Sequence, residues 1–232
     1  METKFFLLGE NIYIRCQRRN RFGILRPEEC KGNVCKDNEF THEGDVVMFD
    51  RLEGRRIRLG VFEVGSGILR VSDPCYEVDT WCSGTFDNAM LGKWRTHITK
   101  SSNTNGWGDR CVSLVIEHDS IIDEIPENLW KKSEIIIGVD SGQAGFFDDK
   151  YYRASCNGIK CFSLEEQSNI ASEWYQMCCD VTLSEDGVGA GVIPYGVVSS
   201  SGFGDGGYEC FFAENDGKVV SAMIVFITKA MA

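Results

Sequence analysis

The chain has 232 residues, 43% hydrophobic and 25% charged, with 25 Gly against only 4 Pro. That length buries a full core, and the glycine excess favours a fold with many tight turns. A formal net charge of −11 makes nucleic acid a poor main partner, because a polyphosphate backbone is repelled over any large face.

Residues 1–60 read as short strands, "KFFLL", "NIYIRC", "GDVVMFDRL" and "RRIRLGVFEV", separated by Gly, Asn and acidic turns. This part carries 12 Lys/Arg and 10 Asp/Glu, whereas residues 61–232 carry 12 and 25, a net of +2 against −13. The shift places a boundary near residue 60, between a small β-rich extension (1–60) and a main α+β domain (61–232). The basic runs around Arg15–Arg26 and Arg51–Arg58 read as solvated strand faces, with a local anion site as the alternative. The opening hydrophobic run is too short for a signal peptide and no segment reaches transmembrane length, so a cytoplasmic protein without a membrane partner is expected.

Further along, "TFDNAMLG" is expected to form a short helix, with Gly92 placed as a left-handed C-terminal cap. The β-branched runs "CVSLVIEH" and "SEIIIGV" are strands, and "QAGFF" is a strand entered through a Ser141-Gly142 turn. The stretch "SLEEQSNIASEWYQMCC" opens with Ser163 and Glu166 in capping-box spacing and puts Ile170, Trp174, Met177 and Cys178 on one helical face. "DGVGAGVIPYG" reads as a long turn. Finally "GYECFFA" and "KVVSAMIVFI" flank "ENDG", a β-hairpin with aromatic residues on both faces and therefore central to its sheet. The sum is an α+β fold, predominantly antiparallel β-sheet of sandwich or barrel type, with about two helices.

Eleven cysteines in a chain without an export signal read as reduced thiols, most of them packed as small apolar groups. Structural zinc would need the pairs Cys30/Cys35 and Cys156/Cys161. Cys75, Cys82 and Cys210 are candidate nucleophiles, with His97 or His118 as base.

Gly202-x-Gly204-x-x-Gly207 has nucleotide-loop spacing, but a strand follows it where a dinucleotide site needs a helix N-terminus. Only 25 residues remain beyond Gly207, too few for the rest of such a fold. What remains is Asp205 between two glycines. The same lettering recurs at Ser66-Gly67 with Asp73 and Tyr76, and 75 residues later at Ser141-Gly142 with Asp148 and Tyr151. Ser201-Gly202 with Asp205 and Tyr208 is a looser third instance. If the turns gather at one end of a sheet, Asp73, Asp140, Asp148, Asp149 and Asp205 supply hard oxygen ligands for Mg²⁺ or Ca²⁺; otherwise they are solvated turn formers. No other cofactor is indicated. Trp81, Trp94, Trp107 and Tyr208 lie beside polar turns, where a flat group could stack on them.

Three blocks, "ILRVSDPCYEVDTWC", "GVDSGQAGFFDDKYY" and "VVSSSGFGDGGYECFF", resemble a family of bacterial and bacteriophage proteins of unknown function over about residues 66–228. That resemblance brings no catalytic residues; its phage association implies a counter-defence role such as sequestering a nucleotide-derived host molecule. The expectation is a soluble small-molecule-binding protein, with homo-oligomers admissible. Its site residues are Asp73, Tyr76, Trp81, Asp140, Ser141, Asp205 and Tyr208, and the alternative is a metal-dependent hydrolase working through clustered aspartates on a nucleotide-like substrate.

Overall fold

The computed structural model describes residues 4–8, 11–16, 21–25, 51–78, 80–153 and 164–232, with side chains in 51–78, 80–153 and 172–232. Three antiparallel sheets account for the strands. The first runs β1 (Lys4–Leu8), β2 (Asn11–Cys16), β3 (Arg21–Leu25) in that order. The six-stranded sheet uses β4 (Arg55–Val64), β7 (Gly92–Ser101), β8 (Arg110–His118), β9 (Lys131–Val139), β13 (Gly206–Asn215) and β14 (Lys218–Val225), ordered β4-β7-β8-β14-β13-β9. The five-stranded sheet uses β5 (Leu69–Ser72), β6 (Gly84–Phe86), β10 (Gln143–Asp148), β11 (Ala190–Ile193) and β12 (Gly196–Ser200), ordered β11-β12-β10-β5-β6. β4 spans residue 60.

The C-terminal hairpin forms as expected and lies inside its sheet, since β13 and β14 each have a neighbour on both sides. Its two-residue turn is Asp216-Gly217, at φ 48° and 71°, the positive values that a tight right-twisted hairpin requires. Period-two alternation then sends Tyr208 and Cys210 to one face and Phe211 to the other, and all three are buried.

One apolar cluster joins the two larger sheets: Val71, Phe146 and Val197 from the five-stranded sheet meet Trp94, Ile98, Leu114, Ile116 and Ile224 from the six-stranded one. A second cluster, with Val115, Phe211, Met223 and Trp130, covers the far face of the six-stranded sheet. The third lies beneath α1 (Leu164–Thr182), where Trp174 and Cys178 pack on Phe147, Tyr152, Ile193 and Val198. Consecutive Phe146 and Phe147 thus serve different cores. Ser163, expected to cap this helix, lies outside the described residues, as do residues 44–50 of the expected strand "GDVVMFDRL" and the cysteine pairs considered for zinc.

Two expectations need correction. The described residues contain one α-helix, not two, because residues 85–92 form the end of β6 and a turn leading into β7. Their backbone is spent on distant partners: Ala89 N–H donates to Gly67 O (3.0 Å), Met90 N–H to Val219 O (2.9 Å), and Val219 N–H to Asn88 O (3.0 Å). Those bonds exclude the i to i−4 bonds of a helix. Likewise 186–196 is no long turn. β11 and β12 pair there, joined by Pro194 and Tyr195, the latter at φ 61°; a proline followed by a positive φ suits a type II turn.

Candidate functional site

β5 and β10 are antiparallel neighbours, with Gly145 opposite Ser72 and Asp148 opposite Leu69. The end of each strand therefore lies beside the beginning of the other, and this gives the repeated Ser-Gly and Asp lettering its physical meaning. Asp73, at the end of β5, is wholly buried and accepts hydrogen bonds from the loop that opens β10. Its Oδ2 takes Asp140 N–H (2.9 Å) and Ser141 N–H (2.8 Å), and its Oδ1 takes Ser141 Oγ–H (2.6 Å) and Cys75 N–H (2.8 Å). Asp148, also wholly buried at the end of β10, accepts Gly65 N–H (2.6 Å), Ser66 N–H (3.0 Å) and Lys150 N–H (3.0 Å). Each carboxylate fastens the start of the partner strand.

Reciprocity puts the two fastenings at opposite ends of the β5/β10 ladder. The five-aspartate cluster considered from the sequence is therefore not formed: Asp148 and Asp149 lie at the end remote from Asp73 and Asp140, and Asp149 pairs with Arg70 at 2.6 Å. Among the described residues no group of three His, Cys, Asp or Glu side chains is arranged to hold a metal ion. The residues present do not fit the metal reading.

The third turn joins the Asp73 end. Ser201 N–H donates to Gly142 O (2.9 Å), and Asp205 Oδ1 accepts Gly142 N–H (3.1 Å). Gly202, at φ 63°, lies so close that an added Cβ would meet Ile227 Cγ1 at 2.8 Å. Tyr208 points inward beneath the loop, its hydroxyl within reach of Gly204 O (2.5 Å) and Ser201 O (2.7 Å) and its ring edge-on to Phe226. Burial pushes that phenol's pKa up, so it remains a donor.

Six of the seven expected site residues thus meet around one end of the sheets. Asp73, Asp205 and Tyr208 are occupied with the loops themselves. The Tyr76 phenol lies beside Asp140 and Cys82, and burial raises its pKa. The seventh, Trp81, lies on the flank, 92% exposed, beside an open pocket of about 410 Å³ that it lines with Ser83, Glu134, Ile135 and Ile136. The flank is tied to the turns through Cys82, whose carbonyl accepts Gly138 N–H at 2.9 Å. Of the other aromatics, Trp94 is core, with its indole N–H on Met90 O at 3.0 Å, and Trp107 rests on Phe203.

Several residues at this end were not foreseen. Tyr152 sends its buried hydroxyl to Tyr76 O (2.7 Å), near Asp73 O (3.0 Å), and Arg153 donates to Pro74 O (3.0 Å) and Cys75 O (3.1 Å). Together they hold the Asp-Pro-Cys-Tyr turn from behind. On the helix side the Tyr175 phenol lies beside Ser141 and Cys179, and Gln143 donates to Cys179 Sγ at 3.5 Å. The sequence signal for these is slight: "DKYYR" follows the β10 aspartate, but nothing local tells which turn it reaches.

Covalent chemistry on Cys75 is disfavoured. Burial, then the Asp73 carboxylate, pushes its thiol up to about 12, and full burial raises Cys210 as well, so neither supplies thiolate near neutral pH. Both candidate bases, His97 and His118, are engaged elsewhere. His118 bonds Ser120 Oγ (2.8 Å) and Leu91 O (3.0 Å), and His97 Nδ1 lies 3.0 Å from Arg56.

Burial, then the guanidiniums of Arg56, Arg51 and Arg95, depresses His97 to about 3. Its folded pKa lies below the unfolded value of about 6.5, so between those pH values the unfolded chain binds more protons and stability falls as pH falls. A single group of this kind contributes at most on the order of 1 kcal/mol per pH unit in that window. Glu117, raised by burial, opposes this where it titrates. His97→Gln is expected to flatten the acid limb between pH 6.5 and 5 in urea titrations; an unchanged slope would show that His97 is not its source.

A family model described as "protein of unknown function (DUF4241)" matches residues 62–225, and the chain belongs to that family. Neither a curated protein nor a solved structure matches the chain significantly. Among the described residues no helix is long and apolar enough to cross a membrane.

Proposed function

We propose that this member of the family is a small-molecule-binding protein whose ligand lies against Trp81, on the flank that Cys82 ties to Gly138 and the Tyr76 turn. The observation behind this reading is the exposure of Trp81. An indole left almost wholly in water forfeits on the order of 1.5–3 kcal/mol of burial that a large apolar side chain ordinarily gains. Here it adjoins a shallow, open and mostly apolar surface on which a small ligand could lie. The buried aspartates and Tyr208 keep the neighbouring turns rigid, which lowers the ordering cost of binding.

A nucleotide-derived compound would meet this surface through its base, since Glu134 and the Asp140 turn are unfavourable neighbours for phosphate. Sequestration of a host molecule, the role implied by the bacteriophage resemblance, requires binding and no chemistry, and the same surface would serve it.

Mass spectrometry of compounds released by denaturing protein purified from host extract tests the reading. The wild type is expected to release a compound that Trp81→Ala does not, while the variant's melting temperature stays within about 1–2 °C because an exposed side chain contributes little to stability. Equal release from both proteins, or from neither, would refute it.

A further inference from the structure

We infer that the group recognised at the Trp81 pocket is an organic cation of the alkylammonium type, a deepening that rests on the binding reading above. The pocket joins the exposed face of Trp81 to the apolar side chains of Ile135 and Ile136 and to one carboxylate, Glu134. An aromatic face attracts a cation within about 6 Å of its centroid, more strongly when the site is partly dry. A carboxylate beside it supplies the counter-charge, and the two isoleucines accommodate methyl or methylene groups.

Local charge bookkeeping favours the same sign. Lys131 and Lys132, on the same strand as Glu134, are paired with Glu214 and Glu209 respectively. Arg153, on the other side of the turn, is paired with Glu77 at 2.9 Å. Among the described residues Glu134 is in no ion pair, so the negative charge of the pocket is left for a ligand. The lining does not suit a bare divalent ion, because Mg²⁺ or Ca²⁺ takes six or more oxygens, and this pocket presents one carboxylate and one serine against two isoleucines. A neutral ligand would gain nothing from the exposed Glu134 carboxylate, and the phosphate of a nucleotide-derived ligand would have to point away from it.

Calorimetric titration of the full chain tests this with choline, its neutral carbon isostere 3,3-dimethylbutan-1-ol, and adenosine as a flat uncharged compound. Choline is expected to bind saturably and at least tenfold more tightly than the isostere. Glu134→Gln should remove that preference, and Trp81→Ala should remove binding. If adenosine or the isostere binds as well as choline, and does so through Trp81, the cation assignment falls while the binding site stands. If choline does not bind at all, the cation assignment also falls, and the binding reading is then judged by the released-compound assay.

Discussion

Asp73→Ala is expected to lower the unfolding free energy by about 3–5 kcal/mol, and the melting temperature by about 10 °C. The alanine removes a wholly buried carboxylate and leaves three backbone N–H groups and the Ser141 hydroxyl without their acceptor. Each buried donor left unsatisfied costs roughly 1–3 kcal/mol, and the sum is reduced because the freed turn relaxes toward water. Asp148→Ala should cost somewhat less, since the donors it strands are three, from Gly65, Ser66 and Lys150. Because the two carboxylates lie at opposite ends of the ladder, the losses should add to within about 0.5 kcal/mol in the double variant. Urea denaturation measures all three. Losses under 1 kcal/mol for Asp73→Ala would mean that the carboxylate does not fasten the strand.

Gly145→Ala is expected to be at least as severe, abolishing soluble expression or costing more than about 3 kcal/mol. Gly145 sits in the middle of β10, between β5 and β12. An added Cβ would stand 2.3 Å from Val197 O, 2.6 Å from Phe147 Cζ and 3.1 Å from Val198 Cα. Two of those atoms are backbone of the paired strand, which cannot withdraw without opening the ladder, and the third belongs to a ring wedged between Tyr152 and Trp174. A variant with wild-type expression and melting temperature would contradict this packing.

How far the sequence discloses this molecule depends on the range of the interactions. The 206–225 hairpin is legible because its two halves are adjacent and Asp216-Gly217 is a local turn signal. α1 is legible because Trp174 and Cys178 repeat at helical spacing. Residues 85–92 mimic a capped helix, yet their backbone bonds go to Gly67 and Val219, which no local pattern announces.

The site follows the same rule. The Ser-Gly and Asp repeat is visible in the letters, and it suggests convergence on one site. Only the antiparallel register of β5 on β10 shows that each aspartate serves the other's strand, which separates Asp73 from Asp148 and removes the metal reading. Tyr152, Arg153, Gln143 and Tyr175 reach residues tens of positions away, and their roles were not readable. Trp81 stands beside polar turns in the sequence, and only the fold shows that its indole is exposed.

The most direct test of binding at Trp81 is a ¹H–¹⁵N spectrum of the indole N–H groups, assigned by single Trp→Phe variants, recorded before and after addition of a small-molecule extract of bacterial cells. Trp81 is expected to shift, while Trp94, hydrogen-bonded to Met90 in the core, and Trp174, packed under the helix, stay in place. An unmoved Trp81 signal, or shifts at Trp94 and Trp174 instead, would contradict a ligand site on this flank.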